Sequence, residues 1–143
     1  MSNIQYFGAV GDGKTDDTEA ILHAIEQGDG HVRIPPGTYR ITRTIEIDLT
    51  ATGPFGMTGA AGATTIVMDG AGPAFRFVGT HGGTGDPGSR SDDVIHNERM
   101  PILADMKITG THPEADGVEC QKTMQMVFRN LLLTCLLYTS DAA

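Results

Sequence analysis

Gly8-Ala9-Val10-Gly11-Asp12-Gly13-Lys14-Thr15 satisfies the GxxxxGK[ST] spacing with which a glycine-rich loop cradles nucleotide phosphates. Thr65-Ile66-Val67-Met68-Asp69 reads like its companion, an apolar strand ending in a magnesium-binding carboxylate. The charges speak against this chemistry. A phosphate here would meet Asp12, Asp16, Asp17 and Glu19 where backbone amides should attract an anion, so a P-loop nucleotide binder is the remote reading. A second constellation, Asp92, Asp93, His96 and Glu98, lies in the irregular stretch of residues 79–101 and offers ligands that suit a hard cation such as calcium. The early glycines of that stretch, Gly82, Gly83, Gly85 and Gly88, make a solvated loop the plainer account. A third set follows from alternation. If Phe75, Phe77, Met106 and Ile108 point inward, Arg76, Asp105 and Lys107 face outward, and Val118 and Cys120 inward would put Glu119 and Gln121 outside. A stacked row of Arg76, Lys107 and Glu119 could contact a substrate; ordinary charge pairing on a solvated strand face explains the same residues. His23, His31, His81, His96 and His112 are scattered, with no Ser or Cys in a nucleophile setting.

The elements that position these residues are mostly short strands. Ala20, Ile21, Ala24 and Ile25 form one apolar stripe, which predicts an amphipathic helix over residues 15–27. Thr15, Asp16, Asp17 and Glu19 are its structural cap, with Asp16 and Glu19 spaced like a capping box. A cap of this kind contributes about 0.5–2 kcal/mol. Val32 and Ile34, then Ile45, Ile47 and Leu49, then Phe75 and Phe77, then Met106 and Ile108 all alternate with polar neighbours. Period two predicts half-buried strands. They are separated by Gly, Pro, Asn or Thr corners with no second helical pattern, which suits a solenoid whose coils bury their apolar sides against one another.

Composition agrees. The 143 residues carry a formal charge of -8 and include 19 Gly, so a basic surface for nucleic acid is excluded and turns are abundant. No apolar run reaches the ~18 residues of a membrane span, and the start lacks the basic and apolar regions of an export signal. Cys120 and Cys135 supply neither a disulfide framework nor a CxxC metal spacing.

The run Phe7 to Ile21, with Gly11-Asp12-Gly13-Lys14-Thr15-Asp16-Asp17-Thr18 at its centre, is followed by His31-Val32-Arg33-Ile34-Pro35-Pro36-Gly37-Thr38-Tyr39. Together these resemble the opening of the pectate lyase superfamily. The resemblance implies an all-β, right-handed parallel β-helix with an N-terminal capping α-helix, and a carbohydrate substrate. It also implies a parent protein that is a polysaccharide hydrolase or lyase acting on an acidic or plant-type polysaccharide, with its catalytic residues on later coils. A non-catalytic glycan-binding or tailspike-like β-helix is the alternative. For a lyase, calcium would be the implied cofactor; an extracellular location is implied as well. Asp116-Gly117-Val118 is similar to a step of a polygalacturonase motif, but Pro113-Glu114-Ala115 before it departs from that pattern, and a turn Asp before Gly is the better account. Residues 134–143 resemble translated read-through, which leaves residues 1–133 as the cap and first coils of a truncated helix. An uncapped last coil would expose an apolar face, so self-association is expected there.

Overall fold

The computed structural model describes residues 2–80, 101–123 and 125–136. The chain winds as a parallel β-helix. After β1 (Ser2–Asn3) and a 3-10 turn (Ile4–Phe7) come β2 (Asp12–Asp16) and α1 (Thr18–Gln27). One coil then consists of β3 (His31–Ile34), β4 (Gly37–Ile41) and β5 (Ile45–Asp48). A short helix, α2 (Leu49–Thr52), leads to the next coil, β6 (Gly56–Gly59), β7 (Thr64–Met68) and β8 (Gly72–Val78). The third coil contains β9 (Ile102–Gly110) and β10 (Ala115–Gln121), and β11 (Val127–Thr134) lies on β9.

Every pairing among these strands is parallel and joins one coil to the next. A small sheet runs β5-β8-β10, while the larger one contains all the other strands. The long strands β9 and β11 each cover two faces. Residues 102–104 of β9 pair with β6 and residues 107–110 with β7, because the chain bends between them at Asp105, whose φ is 63°. Asn130 makes the same left-handed bend in β11 at φ 51°, and its side-chain amide donates to Asp105 Oδ1 at 2.9 Å. Asp and Asn tolerate this conformation better than other residues with a Cβ.

The core is built from columns of inward side chains. Ile45, Phe75 and Val118 align in one column, and Ile47, Phe77 and Cys120 in the next. Tyr39, Ile66 and Ile108 align across β4, β7 and β9. All of these except Val118 and Cys120 are fully buried. The apolar stripe of α1 joins the same core, and the helix packs on the 3-10 turn, β1, β3 and β5, so it lies against the first coil.

α1 starts at Thr18, three residues later than its sequence pattern predicts, because the polar run Asp12–Asp16 pairs with β4 as a strand. Thr15 therefore sits in β2, where its amide and hydroxyl both donate to Asp12, and it caps nothing. Asp17 is the N-cap residue, yet its carboxylate makes no bond to the helix amides. The expected return of Glu19 to Asp16 is replaced by an ion pair with Arg43. Asp16 does accept from the amide and hydroxyl of Thr18, at 3.1 and 2.5 Å, and from the Thr42 hydroxyl at 2.7 Å.

Candidate functional site

The outer face of the small sheet carries the best-aligned polar side chains. Because Ile45, Ile47, Phe75 and Phe77 point inward, Glu46, Asp48, Arg76 and Val78 point outward, and β10 adds Glu119 and Gln121. Parallel pairing puts Glu46, Arg76 and Glu119 in one row and Asp48, Val78 and Gln121 in the next. Arg76 Nε is 3.2 Å from Glu119 Oε2, and Arg76 NH1 is 3.7 Å from Glu46 Oε1. The Gln121 amide donates to the other Glu119 oxygen. That bond, with the Arg76 guanidinium, outweighs burial and holds the Glu119 carboxyl below its usual value. Glu119 therefore stays ionised at neutral pH and is a poor proton donor.

Beside this face, α1, β5 and α2 enclose a groove of about 360 Å³. Glu19, His23, Glu26, Glu46 and Asp48 supply its polar lining, and Leu22, Ile25 and Ala51 its apolar lining. Asp48 is also engaged locally, since its Oδ1 accepts from the amide and hydroxyl of Thr50 and so starts α2.

The expected row of three is thus corrected. Arg76 and Glu119 meet, but Lys107 lies on β9 in the other sheet, aligned with Thr65 and Leu132. The missed member is Glu46, whose signal was the alternation Ile45-Glu46-Ile47-Asp48. The calcium candidates Asp92, Asp93, His96 and Glu98 lie outside the described residues. Among the described residues, no group of three or more His, Cys, Asp or Glu is placed to hold a metal ion. Asp116 lies within β10, in register with Pro73, and its Oδ1 accepts from the amide of its neighbour Gly117 at 2.8 Å, so the turn expected there is corrected to a strand.

The P-loop look-alike is filled from within. Asp17, 1% exposed, takes the amides of Val10 and Gly11 at 2.9 and 3.0 Å, and Asp12 takes those of Lys14 and Thr15 at 2.9 and 2.7 Å. Amides that would face a phosphate in a nucleotide site are bonded to the chain's own carboxylates.

A second polar chain crosses three coils at a corner. Asp69 accepts from Arg40 Nε and Thr111 Oγ1, both at 2.9 Å, and these bonds hold its carboxyl below its usual value of 3.8. A depressed carboxylate contributes stability that is complete above the unfolded value and lost as pH falls through the folded one. The thermal midpoint is therefore expected to drop below about pH 4 with a smaller slope in Asp69→Asn than in the parent. Equal slopes between pH 5 and 2 would remove Asp69 from the acid response.

This fold defines the chain as a pectate lyase-like parallel β-helix. The family model described as rhamnogalacturonase A/epimerase, pectate lyase-like, matches residues 1–98, and the chain belongs to that family. It is 52% identical over 44 residues to alginate lyase 7 of Azotobacter vinelandii, covering 28% of this chain and 5% of that protein. Its structure is similar to ORF18 of Geobacillus virus E2, with a TM-score of 0.71 and 29% identity over 91% of this chain and 25% of that one. The A-module of mannuronan C-5 epimerase AlgE6 from Azotobacter vinelandii shares the fold, with a TM-score of 0.60 and 22% identity over 93% of this chain and 37% of that one. The chain spans between 5% and 37% of the length of these relatives.

Proposed function

We propose that this chain forms the N-terminal coils of a polysaccharide-active β-helix protein and that the outer face of β5, β8 and β10 contacts the glycan. The observation carrying this reading is the in-register row Glu46, Arg76 and Glu119, which sets donor and acceptor groups at successive strand steps of about 4.8 Å. Sugar hydroxyls both donate and accept, and such alternation suits them. The family description and the short, strong match to an alginate lyase support a polysaccharide partner. Arg76→Ala should weaken polysaccharide binding about 10- to 100-fold, as loss of a charged hydrogen-bond donor does. Unchanged retention in affinity electrophoresis would remove the face from the proposal.

The reaction belongs to the longer protein. Glu119 is held ionised, so it does not supply the proton donor that an inverting hydrolase needs opposite its base. Unsaturated uronides among the products of the longer protein identify a lyase, and new reducing ends without unsaturation a hydrolase. Neither product, with binding retained, identifies a glycan-binding or tailspike-like β-helix.

Self-association through β11 is part of the proposal. Phe128 and Leu133 align with the buried Leu103 and Ile108 on the inward side, yet they are 48% and 44% exposed. Size-exclusion chromatography of the 143-residue chain should show a mass that rises with concentration, and Phe128→Lys with Leu133→Lys should leave a monomer. A parent that stays monomeric at high concentration would overturn this.

A further inference from the structure

We infer that the face bearing Arg76 takes a neutral glycan and discriminates against polyuronates. This rests on the proposed reading of that face and names its substrate class. Its six outward side chains comprise three carboxylates, Glu46, Asp48 and Glu119, one cation, Arg76, the amide Gln121 and the apolar Val78. The single cation is already engaged on both sides by Glu46 and Glu119. The adjoining groove adds Glu26 and Glu19, the latter paired with Arg43, and the whole chain carries a formal charge of -8.

A polyuronate brings a carboxylate on every sugar. Laid along this face, it would meet like charges at β5 and β10, and any carboxylate that reaches Arg76 would sit beside Glu46 and Glu119. Groups this close lie well inside the ~8 Å screening length of physiological salt, so the repulsion is not screened away. Hydroxyls face the opposite situation. Vicinal hydroxyls can donate to Glu46 or Glu119 and accept from Arg76 or Gln121 without displacing an ion pair. Val78, half-buried between Asp48 and Gln121, offers the C–H face of a sugar an apolar contact beside that polar row.

The test follows the Arg76 Nε–H and Gln121 side-chain amide signals by NMR in the 143-residue chain, with EDTA present. The probes are hexasaccharides from cellulose, xylan and mannan, and the uronate hexamers of galacturonate and mannuronate. At least one neutral hexamer should shift both signals, while the uronate hexamers bind at least about tenfold more weakly. In E46Q/E119Q that order should narrow or reverse, because the double change removes two like charges. A uronate hexamer that shifts these signals at lower concentration than every neutral one overturns the inference and leaves the glycan-contacting face intact. If none of the five moves them, the reading of the face fails and the inference fails with it.

Discussion

Replacing Phe77 by Ala should lower the free energy of unfolding by about 3–5 kcal/mol, the range for removing a buried aromatic ring from a packed core. Phe77 is fully buried, stands between Ile47 below and Cys120 above, and meets the Phe55 ring edge-on at a centroid distance of 6.1 Å. The column cannot close around the cavity, because parallel pairing holds the neighbouring strands at a spacing of about 4.8 Å whatever the side chain. Val78, one residue on, faces outward, so Val78→Ala should cost well under half as much. Urea unfolding followed by circular dichroism measures both. A Phe77→Ala loss below about 1 kcal/mol would mean that this column is not the packed centre of the stack.

Asp17→Ala is expected to have the next largest effect, a loss of about 2–4 kcal/mol from leaving two part-buried amides without their acceptor. The Asp17 carboxylate ties Val10 and Gly11 to the start of α1, while its own amide donates to the Arg40 carbonyl at 2.8 Å in the first coil. Gly11 has little room to move in response. Its φ is 74°, and a Cβ there would stand 3.0 Å from the buried Tyr39 ring. Asp17→Asn keeps one acceptor and should lose roughly half as much. The prediction fails if Asp17→Ala unfolds at the same urea concentration as the parent, or if adding formate restores nothing, since a small carboxylate should re-enter the vacated amides.

How far these features could be read from the sequence depends on the element. Alternation exposed β3, β5, β8 and β9, and the four-residue stripe exposed α1, because burial of one face leaves a period that survives translation into letters. β2 and β6 left no such trace: Asp12–Asp16 is polar throughout, and Gly56–Gly59 has only Met57 to show which side faces in. Both are strands because a neighbouring coil pairs with them, a property of the neighbours more than of the segments. The row on the outer face was half legible for the same reason. Which side of a strand faces out follows from parity, but which residue lies beside it on the next coil depends on coil length, and the unpatterned stretch of residues 79–101 hides that length. Lys107 was thereby assigned to a row that belongs to Glu46. Asp17 shows a different limit, since a carboxylate before a helix reads as a cap, and nothing in its spacing announces that it turns back to Val10 and Gly11.

The corner contact between Asp105 and Asn130 joins residues 25 positions apart, whereas Arg76 and Glu119, also on adjacent coils, are 43 apart. The difference lies in the number of residues between β8 and β9. Closing the longer segment costs only about 0.5 kcal/mol more in chain entropy, because closure grows with the logarithm of length. Each coil of this molecule is therefore an almost free insertion point: chain can be added between strands with little thermodynamic consequence, provided it leaves and re-enters the stack at the same two strand ends.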